Sequence, residues 1–232
     1  MVLVLYELWG RNGARYSLFS WRTRLALAHK GLTAELKPVR VSDKGAIAFS
    51  GQTKVPILVD GERVIPDSWQ IAEHLEDRHG GPSLFGGPLG RGLARFANTW
   101  VDRQVVPAVA PLVAPDVVDI VDDEDAAHIR ATMEGAFRVS LETMQAEREV
   151  RLKAFRRVLD PARLTLKAQP FLSGAAAGYA DYALFSVFQW GRVAAMVALL
   201  DAADQPMVAW RDRMLDLFDG LAAREPARQG AA

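Results

Sequence analysis

The hydrophobic and polar positions divide the chain into two textures. Residues 2–8, VLVLYEL, are rich in Val and Leu and predict a buried strand. Gly10 and Gly13 punctuate the segment that follows. Leu18, Trp21, Leu25, Ala28 and Leu32 then recur at alternating steps of three and four, which places them on one face of a helix. Lys30 and Gly31 give that helix a basic last turn and a stop. AELKPVRV, residues 34–41, alternates and predicts a second strand, and residues 42–53 are irregular. VPILVD and RVI flank Asp60-Gly61 and predict a hairpin. In DSWQIAEHLEDRHG, Asp67 or Ser68 is a good N-cap, and Ile71, Ala72 and Leu75 form an inward face. Gly80-Gly81-Pro82 ends this helix.

Residues 1–80 therefore read strand, helix, strand, loop, hairpin, helix, which is a small α/β domain. Gly80 to about Pro88 is the linker. Beyond it the periodicity is helical, with breaks expected near Pro111–Pro115, Pro161, Pro170–Gly178 and Pro206. Residues 89–232 are expected to form an all-helical second domain, with the tail REPARQGAA frayed. The most apolar run, Tyr182 to Leu200, is interrupted by Gln189 and Arg192. It reads as a buried central helix and not as a membrane span.

Composition narrows the chemistry. Half of the 232 residues are hydrophobic, enough for two small cores. Lys plus Arg and Asp plus Glu are both 28, so no basic footprint for nucleic acid or an anionic membrane is expected. The absence of cysteine excludes disulfides, thiolate metal sites and a cysteine nucleophile, and fits a reducing compartment. His29, His74, His79 and His128 lack spacing such as HExxH, so no metal site is expected. The N-terminus has no basic n-region and reads as a strand, not a signal peptide.

Three features could carry chemistry. Ser17 stands where the first helix begins, where free N–H groups and the positive end of the helix dipole favour an anion. Its hydroxyl adds a directed donor, although a plain N-cap is the ordinary role of such a serine. Pro56 precedes a strand, and a cis Val55-Pro56 bond would turn the Val55 backbone outward to a peptide-like ligand. A trans proline at the start of an edge strand is the alternative. Asp67-Ser68, at a second helix start, could hold an amino-acid head group, with the aspartate on its ammonium and the helix amides on its carboxylate. A simple cap is again the alternative.

In this order, the three features resemble the glutathione-binding domain of glutathione transferases. GYADYALFSVFQW resembles that family's capped helix in the second domain, with Asp181 three residues after Gly178. SWRTRLALAHKGL, KVPILVDGERVIPDSWQIAEHLED, YADYALFSVFQWGRV and WRDRMLDLFDGL are similar to the serine-type branch that contains bacterial glutathione-dependent β-etherases and fungal relatives. The resemblance runs from about residue 3 to residue 223. Two positions depart from it. Leu18 follows Ser17 where proline is frequent, and Gly178 replaces the usual Ser, Thr or Asn of the capping box.

The resemblance implies a thioredoxin-like α/β N-terminal domain followed by an all-α C-terminal domain. It implies glutathione as co-substrate, supplying the thiol that this chain lacks, and no metal. Ser17 would donate to the sulfur, with Tyr6, Tyr16 and Ser20 as other candidate donors. Val55, with Pro56 setting its backbone, would clamp the cysteinyl unit, and Asp67 and Ser68 would hold the γ-glutamyl end. Gln52 or Lys54 would meet the glycyl carboxylate. A hydrophobic, aromatic electrophile would sit between the domains, against Trp9, Phe96 and Trp100, and β-aryl ether cleavage is the sharpest such reaction. A peroxidase or dehalogenase on the same scaffold, or a non-catalytic glutathione-binding protein, are the alternatives. A glutaredoxin-type reductase is disfavoured because it uses an enzyme cysteine. A cytoplasmic homodimer is expected.

Overall fold

In the computed structural model, which describes residues 2–228, the first unit is a four-stranded sheet of order β2-β1-β3-β4. Its strands are β1 (Leu3–Leu8), β2 (Ala34–Val39), β3 (Ile57–Asp60) and β4 (Arg63–Pro66). β1 runs parallel to β2 and antiparallel to β3, with Tyr6 opposite Ile57, and β3 pairs antiparallel with β4 through the Asp60-Gly61 turn. Both α1 (Leu18–His29) and α2 (Ser68–Arg78) pack on the face that carries Leu3, Leu5 and Leu58, where Trp21, Leu25, Ile71 and Leu75 meet them. The other face carries Val39 and Ile57 and is closed by Ile47, from the 3-10 turn Gly45–Ser50. The strand expected over 34–41 stops at Val39, because Val41 and Ser42 give their N–H groups to Asp125 instead of to a neighbouring strand.

The second unit is helical: α3 (Pro88–Trp100), α4 (Val106–Val117), α5 (Asp123–Phe137), α6 (Leu141–Ala146), α7 (Arg148–Val158), α8 (Asp160–Leu166), α9 (Tyr179–Ala194) and α10 (Gln205–Gly220). Among the described residues no helix is long and apolar enough to cross a membrane. The two units share one hydrophobic core, in which α1 packs against α9.

Three expectations are corrected. Pro111 and Pro115 do not break the chain but lie inside α4, one and two turns beyond Pro107 at its start. Prolines spaced by four delete hydrogen bonds along one side of the helix only. Burial of Val109, Leu112 and Val113 offsets a cost of about 3 kcal/mol per interior proline. A π-turn at Val101–Val105, where the Val106 N–H bonds the Val101 carbonyl, joins α3 to α4. The central helix starts and ends earlier than Tyr182 and Leu200, because Ala195 takes an extended conformation after Ala194. Finally, the tail is anchored as far as it is described. Glu225 is buried, and Arg228 reaches the carbonyls of Asp116 and Ala194 (2.5 and 3.0 Å). Residues 229–232 of the expected frayed tail lie outside the described residues.

Gly178 explains its own departure from the capping pattern. A Cβ there would lie 2.7 Å from Ser173 Oγ and 3.1 Å from the Leu84 carbonyl oxygen, so the close approach of two loops requires glycine. The reciprocal half of the box survives, with Asp181 Oδ2 accepting from the Gly178 N–H at 3.1 Å.

Candidate functional site

The topology gathers the three features at one end of the sheet. β1 ends there at Leu8, β3 begins at Ile57 and β4 ends at Pro66, so the loop to Ser17, the Val55-Pro56 pair and Asp67 all leave from that edge. The Asp67 N–H bonds the Pro56 carbonyl at 3.2 Å and ties two of the features directly. Both α1 and α2 begin at this end, so two helix N-termini present free N–H groups to the same region.

Ser17 is the N-cap of α1, and its Oγ accepts from the Ser20 N–H at 3.3 Å. Among the described residues no protein acceptor takes the Ser17 hydroxyl hydrogen, which leaves it a donor. Val55-Pro56 is cis. Val55 lies outside the β ladder, and among the described residues neither its N–H nor its C=O is paired within the protein. Asp67 caps α2, with Oδ1 accepting from the Trp69 and Gln70 N–H groups at 3.0 and 3.2 Å. Its φ of +66° is the left-handed region that an L residue rarely adopts. Ser68 is buried, and Tyr179 Oη donates to its carbonyl at 2.9 Å, so α9 supports the start of α2. Gln52 and Lys54 are exposed in the loop before Val55.

The tyrosine candidates have other surroundings. Tyr16 is buried beside Gly10, and burial, with Asp125 nearby, pushes its hydroxyl pKa well above the ordinary range. Tyr6 lies on the sheet face opposite α1, tilted against Phe49 with 4.9 Å between ring centroids. Ser20 Oγ is buried without a protein partner.

The proposed aromatic walls do not close around a common cavity. The Trp9 ring has the Arg15 guanidinium over it at 4.6 Å, and its Nε1–H bonds Glu7 at 3.0 Å. Phe96 is 76% exposed and shares the outer stripe of α3 with Leu89, Leu93 and the half-buried Trp100, at steps of four, three and four. Neither of two cavities is lined by Trp9, Phe96 or Trp100. One, of about 650 Å³, lies behind α9 between Phe185, Phe188, Leu199 and Leu215, away from Ser17. The other, of about 580 Å³, opens where α2 begins and is lined by Asp67, Gln70, Glu73, Trp69, Arg91 and Arg95.

Buried charge frames the approach to Ser17, and most of it was missed by sequence reasoning. Glu7 occupies the inward position of β1 after Leu3 and Leu5, so a charge on the core face of the alternation was the available signal. Burial raises its pKa, against the lowering effects of Arg24 and of Trp9 and Arg15. Arg15 is fixed through its backbone, its N–H donating to Glu225 Oε1 at 2.9 Å and its C=O accepting from Trp21 Nε1 at 2.7 Å. Its side chain pairs with Glu225 at 2.9 Å and approaches Glu7 at 3.6 Å. One turn inside α1, the buried Arg22 donates hydrogen bonds to Ser186 and Asn98 of the helical unit at 3.2 and 3.0 Å and forms an ion pair with Asp102 at 2.8 Å.

Comparison with known proteins finds matches to both units. Residues 12–83 match the glutathione S-transferase N-terminal domain model, and residues 92–204 match the glutathione S-transferase C-terminal domain model. The chain is 25% identical over 214 residues to glutathione S-transferase U18 of Arabidopsis thaliana, covering 88% of this chain and 84% of that protein. Over 87 residues, 35% of this chain and 36% of the relative, it is 37% identical to glutathione S-transferase Z2 of the same plant. Among solved structures, a glutathione S-transferase of Ceriporiopsis subvermispora in complex with glutathione superposes with a TM-score of 0.80 at 20% identity, covering 94% and 97% of the two chains.

Proposed function

We propose that this chain, which belongs to the glutathione S-transferase family, activates the thiol of glutathione for attack on an apolar aromatic electrophile. The observation that carries the reading is the convergence of two helix N-termini and the unpaired Val55 backbone on one end of the sheet. The residues fit the tripeptide. Val55 offers an N–H and a C=O to the cysteinyl unit in strand fashion. At the start of α2, acidic Asp67 and Glu73 face basic Arg91 and Arg95 across one cavity, complementary to the ammonium and carboxylate of a γ-glutamyl group. Lys54 and Gln52 are exposed in the same loop, which supports a role for them at the glycyl carboxylate.

A free thiol has a pKa of about 8.5, so only a few per cent is thiolate at neutral pH. The Ser17 hydroxyl donates to the sulfur, and the start of α1 adds the positive end of its dipole, so both favour the thiolate. Ser17 itself forms no covalent bond. With a β-aryl ether, the thiolate attacks the carbon bearing the aryloxy group. The C–S bond forms, the C–O bond breaks, and the leaving aryloxide takes a proton from solvent. The resemblance of the four motif segments to the β-etherase branch supports this reaction, and conjugation of other aromatic electrophiles would use the same thiolate. The exposed Leu89, Leu93 and Phe96 stripe supports a homodimer in which α3 meets the first unit of the partner.

Ser17→Ala tests the assignment. Loss of a transition-state hydrogen bond lowers kcat/KM by about tenfold or more and raises the pKa in the pH–rate profile. An unchanged rate removes Ser17 from the mechanism, and failure to bind glutathione removes the whole reading. Mass spectrometry of glutathione adducts from a panel of β-aryl ethers, aryl halides and peroxides separates the reaction classes. Binding without turnover on every member points to the non-catalytic alternative.

A further inference from the structure

At the opposite end of the sheet, three side chains converge on a single point. Asp60 ends β3 at the hairpin turn, His74 lies in the last turns of α2, and His79 is the residue that ends α2. His74 Nε2 is 2.7 Å and His79 Nε2 is 2.9 Å from the same oxygen, Asp60 Oδ2. The two imidazoles meet edge to face with 5.8 Å between centroids. The one ligating atom from each residue lies within 4.8 Å of the others. All three are half-buried, with side-chain exposures of 15, 10 and 22% for Asp60, His74 and His79, so packing holds the rings in place. Spacing along the chain misses this group, because two ligands are five residues apart on α2 and the third comes from the hairpin.

We propose that Asp60, His74 and His79 form a binding site for one divalent transition-metal ion of the zinc type, separate from the glutathione site. Two imidazole nitrogens and one carboxylate oxygen are the donors such an ion prefers, with a fourth position left for water. Bonds of about 2.0–2.1 Å set tetrahedral ligand atoms about 3.4 Å apart. The observed nitrogen–oxygen contacts of 2.7 and 2.9 Å thus need to open by about 0.5–0.7 Å, and the two ring nitrogens, within 4.8 Å, to settle at the same spacing, which are side-chain adjustments. A bound ion would take the Nε2 lone pair of each ring, with the ring hydrogen on Nδ1. Asp77, near His74, adds a second negative charge, although Arg91 pairs with it. The ion would staple the hairpin turn to the end of α2, so it acts on stability and leaves the thiol chemistry at the other end of the sheet untouched.

The test uses tag-free protein cleared of metal with a chelator. Titration with Zn²⁺ by calorimetry is expected to saturate at one equivalent per chain. Co²⁺ is expected to give the visible absorption of a four-coordinate nitrogen–oxygen site, and bound Zn²⁺ to raise the thermal midpoint. His74→Gln and His79→Gln keep an N–H donor for Asp60 but remove the imidazole, and each is expected to abolish the stoichiometric step. Asp60→Asn, which removes the charge, is expected to weaken it. Far-ultraviolet circular dichroism and the glutathione conjugation rate stay at wild-type values in the histidine variants. Absence of saturable Zn²⁺ binding overturns the proposal, and so does a one-equivalent step that persists in both histidine variants.

Discussion

Asp181 offers the sharpest test of how the helical unit is held together. The side chain is fully buried and accepts four hydrogen bonds. Oδ1 takes the Leu172 N–H at 2.7 Å and Trp210 Nε1–H at 2.9 Å, and Oδ2 takes the N–H groups of Ser173 and Gly178 at 3.0 and 3.1 Å. Asp181→Ala orphans all four donors. Each buried unsatisfied group costs about 1–3 kcal/mol. Leu172 is only partly buried and Ser173 is exposed, so water entering the vacated space recovers part of the loss. Removing a buried carboxylate also returns part of its desolvation cost. The balance is a destabilisation of about 4 kcal/mol, near the low end of a domain's total stability. Asp181→Asn discriminates the cause. Its oxygen keeps one pair of donors, but its amide turns two N–H groups on the other pair, so it is expected to be nearly as destabilising as Ala despite its matching shape. Urea unfolding followed by tryptophan fluorescence and circular dichroism reads both variants. A loss below about 1 kcal/mol in Asp181→Asn would show that shape, not acceptor count, is what this position supplies.

Two further outcomes follow from buried polar contacts. Glu225→Ala removes the acceptor of the Arg15 N–H and is expected to cost about 1.5–3 kcal/mol, with a raised KM for glutathione as the approach to Ser17 loosens; unchanged stability and KM in the same assays would mean the Trp21 bond to the Arg15 carbonyl suffices alone. His29 accepts from Tyr182 Oη on Nδ1 at 2.5 Å and gives its Nε2–H to the Ser83 carbonyl at 3.0 Å, an arrangement that needs the neutral ring. Burial, the largest cause, depresses its pKa below the ordinary value, so the unfolded chain binds the proton more readily. The stability it contributes is therefore present above about pH 6.5 and is lost as pH falls through the lower folded value. Urea midpoints measured from about pH 7 down to pH 5 should show this slope in the wild type and a shallower one in His29→Gln; equal slopes would refute the assignment.

The elements of the first unit were legible because each rests on local signals. Leu18 to Leu32 carry a helical period, Asp60-Gly61 makes a turn, and Asp67 makes a cap. Ser17, Val55 and Asp67 were found by type and order, and the sheet register then brings them to one edge. What sequence could not show is set by contacts distant along the chain. Glu225 meets Arg15 across 210 positions, and Arg22 meets Ser186 across 164. Pro111 and Pro115 read as breaks because their local cost is visible in sequence while the burial that offsets it is not. Phe96 was named as a pocket wall because an aromatic residue on the first long helix suits a cleft between the domains, and sequence does not say which way that residue faces.

The charges around Ser17 bear on how a thiolate would be steadied there. Glu7 and Glu225 are matched by Arg15 and Arg24, and Arg22 is matched by Asp102. The ionised groups nearest this segment thus sum to zero, and no unpaired cation is offered to the sulfur by them. Tyr16 does not fill the gap, since its hydroxyl is desolvated and its pKa lies far above that of a thiol. On the Ser17 reading, the stabilisation must come from dipoles: one hydroxyl and the first-turn N–H groups of α1. Such dipoles are short in range and partly shielded from bulk salt, whereas a lysine or arginine at the site would act over about a Debye length of 8–10 Å. The balanced ion pairs then serve position, because they fix Arg15 through its own N–H and hold Ser17 two residues on. The glutathione thiol pKa on the enzyme should therefore respond strongly to Ser17→Ala and little to ionic strength.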